Sequence, residues 1–269
     1  MNWVDVLILG IIEGLTEFLP ISSTGHLIIA TAFLGIQPTD FVKLFTVAIQ
    51  LGAILSVIVI YFKKFFQFSS PQNFITFYLK LFTAFLPSAV MGVLLNDYID
   101  EALGNPVFVA IFLLLGGVFF VYSDKLFKDN KKGENLITYK DAFIIGLFQS
   151  IAMFPGVSRS GATIIGGLFR KLSKKTAAEF SFFLAVPTMF GATAKKLFDF
   201  FQHHSQLTSN EIEILLVGNL IAFIVAILAI KFFIGLLQKT GFSVYGWYRI
   251  ILGSILLIIY FSGISLQII

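Results

Sequence analysis

Long apolar runs alternate with short polar segments along this chain. Stretches such as 51–62, 107–121, 214–234 and 250–261 lie within apolar runs of about 20 residues, the length at which a helix crosses the hydrocarbon core of a bilayer. The ten-residue alternating segments of a membrane β-barrel do not occur. The sequence therefore predicts an all-α polytopic membrane protein. Six spans are expected, at about 41–62, 74–95, 106–127, 176–199, 214–236 and 245–264.

Two pairs of apolar stretches are too short to span. Residues 4–19 are followed by 24–35, and residues 141–154 are followed by 160–170, with a proline and a polar turn inside each pair. A stretch of this length that enters a bilayer has to turn back before it reaches the other side. We expect each pair to form a re-entrant helix–turn–helix.

The two halves of the chain resemble each other at an offset of 136 residues. Positions 10–30 align with 146–166 without a gap, and six of the 21 positions are identical. Because an internal repeat of this kind indicates duplicated architecture, we interpret the match as a duplicated unit. The identical pairs are Gly10/Gly146, Phe18/Phe154, Ser22/Ser158, Gly25/Gly161, Ile28/Ile164 and Ile29/Ile165.

The repeat predicts the architecture of the whole chain. We expect a single membrane domain, residues 1–269, built from repeats at about 1–130 and 137–269. Each repeat contains one re-entrant helix pair and three membrane spans. Since three is an odd number, the second copy must be inverted relative to the first, giving an inverted-topology repeat.

Charge orients this arrangement. All but four of the 19 Lys and Arg residues lie in or beside the segments 63–73, 125–140, 170–175 and 235–244. By the positive-inside rule, this side faces the cytoplasm. Both termini, an acidic loop and the entry to the first re-entrant pair then face outward. The four basic exceptions are Lys43, Lys195, Lys196 and Arg159, and the acidic loop contains Asp97, Asp100 and Glu101.

Composition agrees with a lipid bilayer as the main partner. The chain is 57% hydrophobic and 13% charged, and its mean hydropathy is +0.91, outside the range of soluble domains. The net charge of +4 is explained by the basic loops, so no nucleic-acid partner is expected. Trp3 and the cluster of Tyr245, Trp247 and Tyr248 are typical of interfacial anchors.

Two carboxylates in the first polar segment indicate a cation. Glu13 and Glu17 are four residues apart, so on a helix they share one face. In a medium of low dielectric constant, two such carboxylates cannot both stay ionised cheaply, so either one is protonated or a cation bridges them. Mg²⁺ or Ca²⁺ is the expected cation because both prefer oxygen ligands. The alternative is a carboxylate pair hydrogen-bonded to backbone at a helix break.

Both polar segments also look like helix starts that bind an anion. Free N–H groups and the helix dipole at such a start attract negative charge, and hydroxyl groups cap it. Capping alone accounts for some of the serines, but it does not account for Arg159, whose planar guanidinium matches phosphate oxygens. The predicted anion-binding residues are Ser22, Thr24 and Gly25 in the first segment, and Ser158, Arg159, Ser160 and Gly161 in the second.

Ser23 and His26 could form a nucleophile and its base. They are three residues apart, on one helical face. A lone histidine is more often a satisfied core residue, but Glu17 and Arg159 in the same segments favour a catalytic role. In the rival mechanism an activated water attacks and Ser23 only caps the helix.

Two anion sites that face each other, together with a divalent cation, fit a phosphate or diphosphate ligand. Catalysis of phosphoryl transfer depends mainly on positioning and charge stabilisation, which these groups can provide.

The motifs Glu13-x-x-x-Glu17 with Pro-x-Ser-Ser-Thr-Gly-His, and Pro-Gly-x-Ser-Arg-Ser-x-x-Thr, resemble those of the bacitracin-resistance family of undecaprenyl-diphosphate phosphatases. The resemblance extends over the whole chain. It implies hydrolysis of undecaprenyl diphosphate in the bacterial inner membrane, with a divalent cation and an active site on the extracytoplasmic side. It also implies functional roles for Glu13, Glu17, Ser23, His26, Ser158, Arg159 and Thr163.

Other classes of protein remain as alternatives. Inverted repeats and broken helices are typical of transporters, so a flippase for a phosphorylated polyprenyl lipid is the main alternative. A phosphatase related to phosphatidic-acid phosphatases would need a basic motif that is absent here. A homodimer is left open.

Overall fold

The computed structural model describes residues 1–95, 105–204 and 206–263. Six of its helical segments are long and apolar enough to cross a membrane. The prediction of an all-α, multi-pass membrane protein is therefore confirmed, and each span agrees with its predicted position to within a few residues. The six segments are Asp40–Ile60, Pro71–Leu94, Pro106–Leu126, Lys174–His203, Ser209–Leu237 and Ser243–Phe261. The predicted acidic loop with Asp97, Asp100 and Glu101 lies outside the described residues, as does the predicted end of the last span at 264.

The helices follow one another with short connections. The first half contains α1 (Trp3–Thr16), α2 (Ser23–Leu34), α3 (Asp40–Ala48), α4 (Gln50–Ile60), α5 (Phe62–Phe66), α6 (Pro71–Leu94) and α7 (Pro106–Leu126). A 3-10 turn at Glu134–Leu136 leads into the second half. This half contains α8 (Tyr139–Ile151), α9 (Arg159–Phe169), α10 (Lys174–His203), α11 (Ser209–Thr240) and α12 (Ser243–Phe261).

Capping residues set where the short helices begin. Asn2 caps α1 and Thr138 caps α8, and each forms a capping box with an aspartate three residues later, Asp5 and Asp141. Such boxes satisfy N–H groups that have no partner inside the helix. These two pairs are also separated by 136 residues, so the equivalence of the two halves extends to the start of each short helix.

The first membrane span is kinked, which the sequence analysis does not predict. It divides at Ile49 into α3 and α4. Next to the break, the Gly52 N–H donates to Asn219 Oδ1 of α11 at 2.6 Å. A side chain inserted into the helical hydrogen-bond ladder is a common cause of a kink. As a result, Gln50 at the start of α4 reaches the central cavity described below.

The first helix of each half packs against a helix from the other half. Helix α1 lies on α11, and α8 lies on α6, while α7 and α12 pack along each other. Close approach is made possible by Gly10 on α1, where a Cβ would press on Ile221, and by Gly146 on α8, where a Cβ would collide with the Ala84 carbonyl. One of the repeat identities, Gly10/Gly146, is thus explained by helix contact.

Apolar side chains cover much of the outer surface. Phe33 and Val93, for example, are each 75% exposed, and the most hydropathic window of α6 is only 17% buried. In water this would be a costly surface, but in a bilayer it faces hydrocarbon. The polar groups described next lie inside the helix bundle.

Candidate active site

The two polar turns end in the same unusual backbone conformation. Helix α1 gives way to a turn that ends at Ser22, and α8 gives way to one that ends at Ser158. These serines have φ values of 69° and 73°, a region that residues other than glycine rarely adopt. Each then caps the following helix, because Ser22 Oγ accepts from Gly25 N at 3.4 Å and Ser158 Oγ from Gly161 N at 3.2 Å. The predicted helix starts are present at both places.

A chain of hydrogen bonds joins the two turns. Arg159 Nη2 donates to Glu17 Oε1 at 2.8 Å, and Ser23 Oγ donates to Glu17 Oε2 at 2.7 Å. The side chains of Glu17 and Arg159 are only 4% and 9% exposed. Inside a bundle, such a pair interacts strongly because little water screens it. Glu17 therefore connects a hydroxyl at the first helix start with a guanidinium at the second.

The orientation of Arg159 is fixed by α10. Its Nη1 donates to the Ser181 carbonyl at 3.0 Å, and its guanidinium lies 5.8 Å from the centre of the Phe18 ring. Thr163 Oγ1 donates to Ser181 Oγ at 2.7 Å, which holds that hydroxyl in place. Ser181 is a site residue that sequence reasoning missed, since it belongs to no polar segment.

Glu13 is buried without a hydrogen-bond partner. The residue is completely buried, and neither carboxylate oxygen has a hydrogen-bond partner among the described residues. This result contradicts the alternative in which backbone groups satisfy the carboxylate. The Glu17 carboxyl lies near enough to interact with it. An unpaired buried carboxyl needs a proton or a cation, so the pair fits a divalent ion that also takes oxygens from a substrate.

Larger clusters of protein ligands for a metal do not occur in the part of the chain that the structure describes. Within the described ranges, no group of three or more His, Asp and Glu residues is arranged to hold an ion. A cation at Glu13 and Glu17 would therefore have two protein carboxylates at most. Mg²⁺ commonly binds in this way, through one or two carboxylates together with phosphate oxygens.

A cavity of about 340 Å³ lies between the two turns. Both motifs contribute to its wall, as do helices on either side. Ser88 and Thr188 each follow a proline inside a helix, at Pro87 and Pro187. The polar lining consists of Glu17, Ser22, Ser23, Thr24, Ser158 and Arg159 from the motifs, and of Gln50, Ser88, Gln149 and Thr188 from elsewhere.

Gln149 occupies the position in the second half that Glu13 occupies in the first. Its Nε2 donates to Ser88 Oγ at 2.6 Å, and its Oε1 accepts from Thr188 Oγ1 at 3.2 Å. The amide is thus satisfied by protein groups, in contrast to the Glu13 carboxyl. The 136-residue offset could have identified Gln149 as a site residue, because it aligns the two side chains.

Comparison with known proteins identifies the family of this chain. Residues 6–255 match the family described as bacitracin resistance protein BacA. The chain belongs to this family. It is 57% identical to an undecaprenyl-diphosphatase of Flavobacterium johnsoniae over 97% of both chains. It is 49% identical to one of Porphyromonas gingivalis over the full length of both, and 46% identical to one of Enterococcus faecalis over 95% of this chain and 96% of that one.

In this BacA family member, the predicted hydrogen bond between Ser23 and His26 is not formed. His26 Nδ1 lies 2.7 Å from the Ser22 carbonyl, and Nε2 lies 2.7 Å from the Tyr248 hydroxyl. Ser23 instead donates to Glu17. The reason is geometric: the imidazole folds back along its own helical turn, whereas the carboxylate comes from the preceding helix. Tyr248, expected to be only an interfacial anchor, is in contact with the site.

Arg249 connects the same two turns from behind. The charge pattern counts it with the basic loops, but the structure buries it completely. Its guanidinium donates to the carbonyl oxygens of Pro20 at 3.2 Å and Gly156 at 2.9 Å, one in each turn. An arginine within a predicted membrane span is by itself a reason to suspect a site, so the sequence contained a usable signal.

Not all predicted binding residues reach the cavity. Gly25, Ser160, Gly161 and Thr163 are not among its lining residues. The Ser160 hydroxyl donates to the Leu19 carbonyl at 2.9 Å, and Thr163 bonds to Ser181. In this arrangement these side chains support the two turns rather than face a ligand. Their direct contact with substrate stays a prediction.

Proposed function

We propose that this protein hydrolyses undecaprenyl diphosphate to undecaprenyl phosphate and inorganic phosphate, which recycles the lipid carrier of cell-wall synthesis. Its family membership and its similarity to enzymes named undecaprenyl-diphosphatase support this activity. The structural observation that supports it best is the hydrogen-bonded series Ser23, Glu17 and Arg159 at the wall of the cavity. Phosphoryl transfer can use these three groups as a nucleophilic hydroxyl, a carboxylate that accepts its proton and a planar guanidinium that binds phosphate oxygens.

In the proposed mechanism, Glu17 is the base. Its Oε2 already accepts a hydrogen bond from Ser23 Oγ at 2.7 Å, a distance suited to proton transfer. Ser23 Oγ attacks the terminal phosphorus, and the bond to the bridging oxygen breaks, releasing undecaprenyl phosphate. Water then attacks the phosphoserine, inorganic phosphate leaves and the hydroxyl is restored. Arg159 and the N–H groups at the two helix starts stabilise the negative charge that develops.

A divalent cation, Mg²⁺ or Ca²⁺, is part of this proposal. Glu13 and Glu17 would hold it, and the unpaired Glu13 carboxyl supports this assignment. When bound, the ion would draw charge from the phosphate oxygens.

Attack by Ser23 can be tested on purified protein in detergent. Phosphate release from a C55 diphosphate should fall by about 10³-fold or more in Ser23→Ala, because a nucleophile is lost. Ser150→Ala is a matched control, since Ser150 bonds to its own helix and lies outside the cavity. If Ser23→Ala stays within about tenfold of the parent, Ser23 is a cap and water is the nucleophile.

The same assay separates the enzyme from a transporter. A flippase needs a membrane to work across, whereas hydrolysis continues in detergent. Transport of the lipid without hydrolysis also needs no nucleophile. A parent protein that binds the lipid but releases no phosphate, with or without Mg²⁺ and Ca²⁺, would contradict the proposed function.

We also propose an inverted-repeat domain in the bacterial inner membrane, with both termini and the active site on the extracytoplasmic side. The exchanged packing of α1 on α11 and α8 on α6 supports a two-fold relation between repeats at about 1–130 and 137–269. The basic loops support the orientation.

Labelling in intact cells tests this topology. The chain has no cysteine, so single cysteines introduced at Gln37 and Asn130 can be compared directly. The cysteine at position 37 should react with an impermeant thiol reagent, and the one at position 130 should not. The reverse pattern would mean that the orientation is wrong.

A further inference from the structure

The hydrogen bonds of His26 determine which ring nitrogen carries a proton. The Ser22 carbonyl can only accept, so Nδ1, at 2.7 Å, must be the protonated nitrogen of a neutral ring. Nε2 is then an acceptor for the Tyr248 hydroxyl, also at 2.7 Å. The two rings lie nearly parallel, 7° apart, with centres separated by 5.5 Å. The Ser22 carbonyl therefore sets the tautomer of His26, and Tyr248 on α12 holds the ring in the orientation at which Nδ1 meets that carbonyl.

Both rings lie outside the wall of the cavity between the two turns. His26 and Tyr248 are absent from the lining of the cavity, which Ser22, Ser23 and Thr24 do line. The Ser23 hydroxyl is directed to Glu17. An effect of the two rings on catalysis must therefore pass through the turn that they contact.

That turn is strained and needs support. Ser22 has a φ of 69°, a conformation that a residue with a Cβ keeps only where its surroundings enforce it. The equivalent Ser158, with φ 73°, has its carbonyl bound by the Ala162 backbone N–H at 2.9 Å. Ala162 is the counterpart of His26 in the repeat. In the first turn, the imidazole binds the equivalent carbonyl.

We infer that His26 and Tyr248 together form a strap that holds the Ser22 turn, so that Tyr248 is a positioning residue and His26 is not the base for Ser23. The inference rests on the proposed function, because the turn that is held carries the attacking hydroxyl. A shift of about 1 Å in a reacting group can reduce a rate by about 10²-fold, so a loosened turn should lower kcat much more than it raises KM.

Tyr248→Phe distinguishes a strap from a base by the sign of its effect. The ring stays, but the hydroxyl that holds the orientation of His26 is lost, so a strap predicts that kcat falls by about tenfold with KM little changed. If His26 were the base, removal of the hydroxyl would free Nε2 and the rate would be unchanged or higher. Tyr260→Phe, an exposed position on the same helix, is the matched control.

Three substitutions of His26 locate the nitrogen that matters. The amide nitrogen of Asn can occupy the place of Nδ1, whereas that of Gln occupies the place of Nε2. A strap predicts that His26→Asn keeps at least about tenfold more activity than His26→Gln or His26→Ala. Equal losses in all three, with thermal stability like that of the parent, would overturn the inference.

Nitrogen NMR tests the strap independently of activity. In protein labelled with ¹⁵N-histidine, the His26 signals are those that disappear in His26→Asn, since only His203 and His204 remain. The expected result is a neutral ring protonated at Nδ1, with an Nε2 signal that moves in Tyr248→Phe. A ring protonated at Nε2 would contradict the strap even if the parent proved inactive, whereas an inactive parent with the expected tautomer would contradict only the proposed function.

Discussion

The turn at residues 17–22 and the turn at 152–158 end in the same backbone conformation, but the side chains around them carry opposite charge. Both end in a serine with positive φ that caps a helix. The first turn and the helix before it contain the carboxylates Glu17 and Glu13, while the equivalent positions in the second half are Met153 and Gln149. The second presents Arg159 where the first has Ser23. The same serine-capped turn, present twice, thus brings a carboxylate and a guanidinium together, although neither turn carries both groups.

The comparison also shows how each turn is supported. The first is held by side chains from elsewhere in the fold, including Tyr248 through His26. Arg249 binds a carbonyl in both turns, but the remaining support of the second is local, from Ser160 bonded to Ser158 at 3.0 Å and from the Ala162 backbone N–H. The half that carries the proposed hydroxyl nucleophile thus depends more on distant contacts.

The largest expected effect comes from replacing Arg159, the guanidinium that follows the second turn. Lysine keeps the charge of Arg159 but cannot donate to Glu17 and Ser181 at once. Arg159→Lys should therefore lose activity nearly as severely as Arg159→Ala, by about 10³-fold, measured as phosphate release. Arg170→Lys, far from the cavity, should keep most of its activity. Near-normal turnover of Arg159→Lys would show that a point charge is enough.

A smaller effect is expected when the first turn is made to resemble the second. Glu13→Gln introduces the side chain that Gln149 provides in the other half, and it removes one carboxylate from the proposed cation site. The cation concentration for half-maximal activity should rise by about 10-fold or more. Asp5→Asn on the same helix should leave that concentration unchanged. Full activity of the parent in excess chelator would exclude a required cation.

The smallest effect concerns stability and compares the two capping boxes. Asp5 accepts from Asn2 N at 2.8 Å, whereas Asp141 also pairs with Lys132 and Arg170. Asp141→Asn should destabilise the fold by about 2–3 kcal/mol, less than a fully buried pair because both cations reach solvent. Asp5→Asn should cost under about 1 kcal/mol. Thermal unfolding at neutral pH checks both, and equal shifts would contradict the comparison.

The Asp141 contribution should depend on pH. Burial raises the pKa of its carboxyl, but hydrogen bonds from Lys132, Thr138 and Arg170 outweigh burial and hold the pKa well below its usual range. The stabilisation is therefore complete above the unfolded pKa of about 4 and is lost as pH falls through the lower folded value. The difference between parent and Asp141→Asn should shrink below about pH 4 and stay constant from pH 6 to 8.

Local patterns predicted the parts of this molecule that have local causes. Apolar length placed the six spans, and the proline and hydroxyl residues placed the two helix starts at Ser23 and Arg159. Contacts between distant segments could not be predicted in this way. Spacing alone paired Ser23 with His26, but the position of α1 gave the hydroxyl to Glu17. Likewise, nothing near Ser181 or Tyr248 in the sequence indicates that they reach the polar turns.

The position of Arg249 has a consequence for how the protein is made. This side chain belongs to α12, yet it binds a carbonyl oxygen in each turn, one 229 and the other 93 residues earlier in the chain. Neither hydrogen bond can form until α12 has been synthesised and packed. The two turns of the proposed active site therefore gain this support only once α12 is in place, so a chain that lacks α12 is expected to remain inactive.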